Sequence, residues 1–270
     1  MALQAVNNLL LQRRVGGLCT AMGIRMVADP QIVDLAVNAG YHSLFIDLEH
    51  SNFSIQNASH LCLAGLRRGI TPFVRVPYQC GNGFIQRILD GGAMGIVFPH
   101  IHAKDDAQAA VSISKYPPLG KRSMTGQLPL FGLKTTHQDQ IISESNSRGS
   151  SVFLMIETKE SIDNVGDIAS VEGVDVLLIG SNDLAIELGV PGQFESQKFR
   201  SALAKVSEAC RKHGKIMGLA GIYGQPVIQD WAVNELGVGF ILVGQDSGFI
   251  AATAKESVRA VPSKRQAASS

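Results

Sequence analysis

The sequence predicts a (β/α)8 barrel. Three observations lead there: eight short apolar or β-branched runs, segments of helical period between them, and a length of 270 residues with 45% hydrophobic side chains, which suits one large barrel core. The competing arrangement is a doubly wound open sheet. In chain order, the runs GLCTAM (17 to 22), SLFIDLEH (43 to 50), TPFVRVP (71 to 77) and MGIVFPH (94 to 100) are each followed by an amphipathic stretch. Those stretches are DPQIVDLAVNAG, SIQNASHLCLAGLRRG, NGFIQRILDGG and KDDAQAAVSISKYP. The second half repeats the pattern with VFLMIET (152 to 158), DVLLIGS (175 to 181), KIMGLAG (215 to 221) and FILVGQ (240 to 245). Between and after these lie ESIDNVGDIASV, SQKFRSALAKVSEACRKHG, QPVIQDWAVNELG and FIAATAKESVRAV. Several helical segments carry a cap residue in front and a glycine behind. Residues 1–262 are expected to form one barrel domain with a C-terminal helix, and the small polar residues 263–270 a flexible tail. Residues 117–150, which include PPLGKRSMTG, are the exception to the rhythm and read as an extended loop covering one end of the barrel.

Composition excludes several functions. Lys plus Arg number 24 against 23 for Asp plus Glu, so no basic excess points to nucleic acid. No apolar run approaches the roughly 18 to 20 residues of a membrane helix. Cys19, Cys62, Cys80 and Cys210 are far apart with no CxxC pair, which disfavours a zinc cluster or a disulfide framework and fits a reducing, cytoplasmic setting. The expected partner is a small molecule.

Strand endings carry the chemistry, because active sites of such barrels sit at the C-terminal ends of the strands. The second run ends in Asp47, Glu49 and His50, the third in Arg75, the fourth in His100, the fifth in Glu157 and the sixth in Ser181, Asn182 and Asp183. Each has an ordinary structural explanation. Asp47 and His50 could bond loop backbone, Arg75 could form a rim ion pair, and His100 could be a neutral residue at the edge of the core. Glu157 and Asp183 could cap the helices that follow. Together, however, five strand ends facing one mouth make a site. Glu157 and Asp183 offer hard oxygen ligands suited to an octahedral Mg, Mn or Co ion that keeps positions for water and a 2-oxo acid. Arg75 adds fixed positive charge, and His50, oriented by Asp47, can move a proton near neutral pH. Ser181 and Asn182 are candidate substrate contacts. No lysine ends a strand, so Schiff-base chemistry is disfavoured, and GGAMG and LAGIYG lack the fingerprints of a nucleotide site.

The ordered set AGYHSLFIDLEH, TPFVRVP, GGAMGIVFPHIHAKDDAQAAV, KYPPLGKRS, MIETKESIDNV, VEGVDVLLIGSNDLAIELG and FILVGQDSG resembles the metal-dependent class II pyruvate aldolases. These include the 4-hydroxy-2-oxoheptanedioate and 2-keto-3-deoxy-sugar-acid enzymes, with macrophomate synthase in the same superfamily. The resemblance implies a barrel of the phosphoenolpyruvate/pyruvate-binding type, commonly assembled as a hexamer that exchanges a C-terminal helix. It implies Glu157 and Asp183 as metal ligands, a His50 and Asp47 dyad, and Arg75 as the enolate-stabilising cation. Met155 stands where many relatives carry glutamine, and GSNDLA replaces their G-P-x-D-L-S. His100, at a position often apolar in sugar-acid aldolases, is similar to macrophomate synthase. The expected activity is reversible aldol cleavage of a 4-hydroxy-2-oxo acid to pyruvate and an aldehyde. Alternatives are an oxaloacetate decarboxylase that adds the enolate to a larger acceptor, and an inactive barrel that binds a 2-oxo acid. Residues 120–137, with Met155 and His100, are expected to select the acceptor.

Overall fold

A computed structural model of the chain describes residues 5–262, so the expected tail at 263–270 lies outside the described residues. Eight parallel strands close into a barrel in sequence order: β1 (Cys19–Ile24), β2 (Ser43–Asp47), β3 (Thr71–Arg75), β4 (Gly95–Phe98), β5 (Ser151–Ile156), β6 (Val176–Gly180), β7 (Ile216–Ala220) and β8 (Val238–Gln245). Each overlaps the run that the sequence singled out, and the open-sheet alternative is removed by the β1–β8 pairing. The runs read as continuously apolar because both faces of each strand are covered. Along β2, Leu44 and Ile46 pack outward under the helices while Phe45 packs inward; along β5, Leu154 and Ile156 point outward and Phe153 and Met155 inward.

The helices follow the expected alternation, with additions. An N-terminal helix α1 (Asn8–Val15) precedes β1, then α2 (Ile32–Asn38), α3 (Ile55–Arg68), α4 (Asn82–Asp90) and α5 (Lys104–Ser114) follow the first four strands. Helix α6 (Gln138–Glu144) lies ahead of β5; α7 (Lys159–Asp163) and α8 (Val165–Ala169) follow it. The circuit ends with α9 (Ser181–Glu187), α10 (Gln197–His213), α11 (Pro226–Asn234) and α12 (Asp246–Ala260). Capping explains where several begin and stop. The Ser54 and Asn57 side chains form a capping box at the start of α3, and Gly69, at φ 72°, ends it in the left-handed conformation that glycine adopts without steric cost.

The interior is filled with aromatic rings. Phe73, Phe153 and Phe240 meet at centroid separations of 4.6, 5.1 and 6.0 Å, in tilted and edge-on arrangements. Beneath them, Leu9 of α1 and Leu128, Leu130, Phe131 and Ile141 complete the same buried cluster. This corrects two expectations for residues 117–150. The segment is not wholly extended: it contains a 3-10 turn at Pro129–Phe131, α6, and a π turn at Ser145–Gly149. It does cover one end of the barrel, as expected, but not the mouth where an acceptor would be chosen. It joins the end of α5 to the start of β5, so in a parallel barrel it must lie at the N-terminal ends of the strands. Buried Arg122 confirms that placement by pairing with Asp90, at the end of α4, at 2.7 Å. Within one chain, therefore, residues 120–137 do not shape the acceptor side of the site.

At the opposite end, α12 is tied to the barrel by one buried carboxylate. Asp246 accepts hydrogen bonds from the backbone N–H groups of Arg25, Met26, Val27 and Ser247 at 2.7 to 3.2 Å, which fixes the turn after β1. Replacing Asp246 with Ala strands these donors, and the expected loss is about 2–3 kcal/mol. A urea titration showing a lower midpoint at an unchanged slope checks it.

Candidate active site

Parallel register builds the core of the site. Asp47 and Arg75 are direct partners across β2 and β3, as are Phe45 and Phe73 one step below, so all four side chains share the inner face. The Arg75 guanidinium meets Asp47 as a fork, with Nε donating to Oδ1 at 3.0 Å and Nη2 to Oδ2 at 2.6 Å. Its Nη1 reaches Glu49 Oε2 at 3.1 Å, and the guanidinium carbon stands 5.5 Å from the centre of the Phe45 ring. Three of five N–H groups are thereby engaged, leaving two free to donate elsewhere.

Burial alone would raise the Asp47 carboxyl pKa, but the hydrogen bonds and charge of Arg75, with the backbone N–H groups of His50 and Glu49, hold it below the usual carboxylate range. Burial would likewise lower Arg75, yet Asp47, Glu49 and Glu157 more than compensate and stabilise its charged form.

The expectation that the Asp47 carboxylate orients the His50 imidazole is corrected. Both Asp47 oxygens face Arg75, and Asp47 holds His50 through its backbone N–H at 3.1 Å. The exposed imidazole has Glu49 as its nearest acid, with Nε2 at 3.9 Å. Glu49 is thus a residue to which the sequence reading gave no role. Its signal was available: it stands two residues beyond Asp47, on the same face of an extended segment.

His100 and Glu157 form the second half. Glu157 is almost wholly buried and receives the His100 backbone N–H on Oε1 at 2.7 Å. His100 adopts φ 53°, a left-handed conformation uncommon for a residue with a β-carbon, and this backbone supplies the donor to Glu157. Its imidazole lies between two carboxylates, with Nδ1 3.4 Å from Glu157 and Nε2 3.4 Å from Glu49, and packs edge-on against Tyr78. Burial raises the Glu157 pKa, His100 opposes the rise, and the negative charges of Asp183 and Glu49 add to it.

Neither carboxylate serves merely as a cap. The residue capping α7 is Thr158, which accepts from Ser161, while Asp183 sits inside the first turn of α9 and the cap position is Gly180. Gly180 has its own reason: a β-carbon there would collide with the Glu157 carboxylate. Ser181, Asn182 and Asp183 line a cavity of about 310 Å³ with Arg75, His50 and Met155. The buried Ser181 hydroxyl has no partner among the described residues. Phe45, Met155 and Leu242 give the cavity an apolar floor, and Arg25, Tyr223 and Gln245 complete the wall, with Gln245 donating to the Tyr223 hydroxyl at 3.3 Å. These three were not foreseen, although Arg25 and Gln245 stand at the C-terminal ends of β1 and β8 and Tyr223 just beyond β7. Among the described residues, no group of three or more His, Cys, Asp or Glu side chains is already placed to hold a metal ion.

Residues 26–226 match the HpcH/HpaI aldolase/citrate lyase family. The chain belongs to that family. A 4-hydroxy-4-methyl-2-oxoglutarate aldolase of Chaetomium globosum is 56% identical over 255 residues, covering 94% of this chain and 95% of the relative. The crystal structure of an HpcH/HpaI aldolase from Desulfitobacterium hafniense superposes with a TM-score of 0.86 at 25% identity, across 95% of this chain and 98% of that one. Macrophomate synthase shares the fold at a TM-score of 0.78 and 20% identity, across 93% and 87% of the two chains. The resemblance read from the ordered motifs is therefore borne out at the level of family and fold. No helix among the described residues is long and apolar enough to cross a membrane.

The depressed Asp47 pKa has a readable consequence. Its contribution to stability is complete above the unfolded value of about 3.9 and is lost as pH falls through the lower folded value. Chemical denaturation across pH is expected to show a constant gap between the native protein and Asp47→Asn down to about pH 4, closing only below it.

Proposed function

We propose that the protein is a divalent-metal-dependent aldolase that passes through the enolate of pyruvate and cleaves 4-hydroxy-4-methyl-2-oxoglutarate. The observation that carries this reading is a carboxylate-held arginine on a cavity that Asp183 also lines, with buried Glu157 close enough to act on its charge. Arg75 keeps two N–H groups free, and its charge is stabilised by buried Glu157 as well as by Asp47 and Glu49. The relative at 56% identity acts, by its name, on this methyl-branched diacid.

Glu157 and Asp183 fit a divalent ion. They are hard oxygen donors, and the raised Glu157 pKa, caused by burial and by the charges of Asp183 and Glu49, marks an excess of negative charge that a cation would relieve. With only two side-chain ligands, Mg, Mn or Co would retain positions for water and substrate oxygens. When bound, the ion supplies Lewis-acid stabilisation to the 2-oxo acid group. The protein supplies the rest. In the cleavage direction His50 accepts the C4 hydroxyl proton, directly or through water, the C3–C4 bond breaks, and its electron pair becomes the enolate. The free N–H groups of Arg75 are placed to stabilise the developing negative charge, and their positions are fixed beforehand by Asp47 and Glu49. Return of a proton to C3 then gives pyruvate, and with this substrate the departing ketone is also pyruvate. Ser181 and Asn182 bind substrate oxygens at the cavity wall, and His100 sets the Glu157 carboxylate through its backbone. The apolar floor at Met155 suits the methylene and methyl groups of the substrate.

Oxaloacetate would give the same enolate by losing carbon dioxide, so it belongs in the deciding assay. Metal-stripped protein is expected to release no pyruvate from 4-hydroxy-4-methyl-2-oxoglutarate until Mg, Mn or Co is restored. Glu157→Ala and Asp183→Ala are expected to lose metal and activity together. Turnover of oxaloacetate alone would favour a decarboxylase, and activity that survives EDTA would remove the metal from the mechanism.

The protein is further proposed to assemble as a hexamer. Residues 251–260 of α12 are exposed throughout, Ile250 and Val258 among α12's apolar side chains, and an apolar groove of about 630 Å³ runs between α12 and α2. These faces suit contact with a second copy of the chain. Solution scattering is expected to give a multiple of the 28.8 kDa chain mass; a monomer would overturn the assembly.

A further inference from the structure

We infer that Arg25 binds the distal carboxylate of the substrate and thereby sets a preference for dicarboxylic hydroxy acids. The inference rests on the aldolase reading above and names the group that selects among its substrates.

Arg25 directly follows β1 and lines two adjoining spaces. One is the 310 Å³ cavity it shares with Arg75, His50 and Asp183, and the other is an outer opening of about 740 Å³ lined also by Glu49, Ser51 and Ser247. Its backbone is held in place. The Arg25 N–H lies 3.2 Å from both oxygens of buried Asp246, and the next two N–H groups bind the same carboxylate at 2.9 and 2.8 Å. Asp246 thus spends its acceptor capacity on backbone, and among the described residues the Arg25 guanidinium has no ion pair or side-chain hydrogen bond. Arg75 differs in this respect, because three of its N–H groups are engaged by Asp47 and Glu49. Of the two arginines on the cavity, Arg25 is the one with a whole planar fork available for a carboxylate.

Position around the rim supports the assignment. The strands close in sequence order, so β5 lies across the barrel from β1. Going round the mouth, the functional groups are Asp183 and Glu157 after β6 and β5, Arg75 on β3, His50 after β2 and Arg25 after β1. A 4-hydroxy-2-oxo diacid presents its groups in the same order. Its C1 carboxylate and C2 oxygen belong on the side where Glu157 and Asp183 would hold a cation, charge develops over C2 and C3 beside Arg75, the C4 hydroxyl meets His50, and the C5 carboxylate arrives at Arg25. A substrate with a methyl group in place of that carboxylate would leave Arg25 without a partner.

The experiment compares pyruvate release from 4-hydroxy-4-methyl-2-oxoglutarate and from 4-hydroxy-4-methyl-2-oxopentanoate, which differ only in the distal carboxylate. The metal-loaded protein and its Arg25→Ala and Arg25→Lys variants are used. Loss of a charge-assisted fork is expected to lower the ratio of kcat/KM for the diacid over the methyl analogue by about ten- to a hundredfold in Arg25→Ala. The fall is expected mainly through KM for the diacid, and Arg25→Lys, which keeps the charge but not the fork, is expected to recover part of it. A ratio unchanged in Arg25→Ala, with the unsubstituted protein active on the diacid, would overturn the role of Arg25 alone. An unsubstituted protein that releases pyruvate from neither compound would overturn the aldolase reading and this inference with it.

Discussion

Asp47 and Arg75 face each other because β2 and β3 pair in register, and the inner-face alternation that buries Phe45 and Phe73 brings the next residues of both strands to the mouth. The fork between them removes two charges from water, so its gain in stability is largely offset by desolvation. Its value lies in position. A guanidinium anchored at Nε and Nη2 cannot swing, and Glu49 on Nη1 settles which N–H groups remain for a ligand. The hydrogen bonds that Asp47 accepts from the backbone N–H groups of Glu49 and His50 extend the same constraint into the following turn. Arginine, carboxylate and histidine are therefore placed by one strand pairing.

The other half of the site is held by departures from ordinary chain behaviour. His100 accepts a left-handed backbone, at a cost of the order of 1 kcal/mol or more, and its N–H serves the buried Glu157 carboxylate. Gly180 forgoes a side chain so that this carboxylate has room. Glu157 then sits close to Asp183 and Glu49, where like charge and burial raise its pKa. A fold selected only for stability would avoid all three features. Their concentration at one rim is consistent with the proposed cationic ligand.

Much of this was legible in the sequence, for identifiable reasons. The strands of a parallel barrel are covered on both faces, so each appeared as an unbroken apolar run, and the polar residues ending five of them marked the candidate rim. That logic reached Asp47, Arg75, His100, Glu157 and Asp183. It did not reach partner choice, since the spacing of D-x-E-H cannot tell whether Asp47 faces an imidazole on its own strand or a guanidinium on the next. Arg25 and Tyr223 escaped because neither falls within an apolar run, one standing just after β1 and the other two residues past the LAG that ends β7. The segment at 117–150 misled for another reason. Its low apolar content suggested an extended cover over one end and a part in choosing the acceptor, whereas its few apolar residues, Leu128, Leu130 and Phe131 among them, close the end away from the site.

That closure makes the barrel a blind well. Phe73, Phe153 and Phe240 fill its shaft, and Leu9 with the residues at 128–131 stops its base. Whatever enters at the mouth must back out by the same route. Two fragments formed in such a well leave in sequence, the outer one first, and the fragment lodged deepest determines how soon the next molecule can be admitted. In the proposed cleavage both fragments are pyruvate, and the occupant left behind is also a reactant for the reverse reaction, so traffic through this opening would couple the rate of turnover to the pyruvate concentration outside.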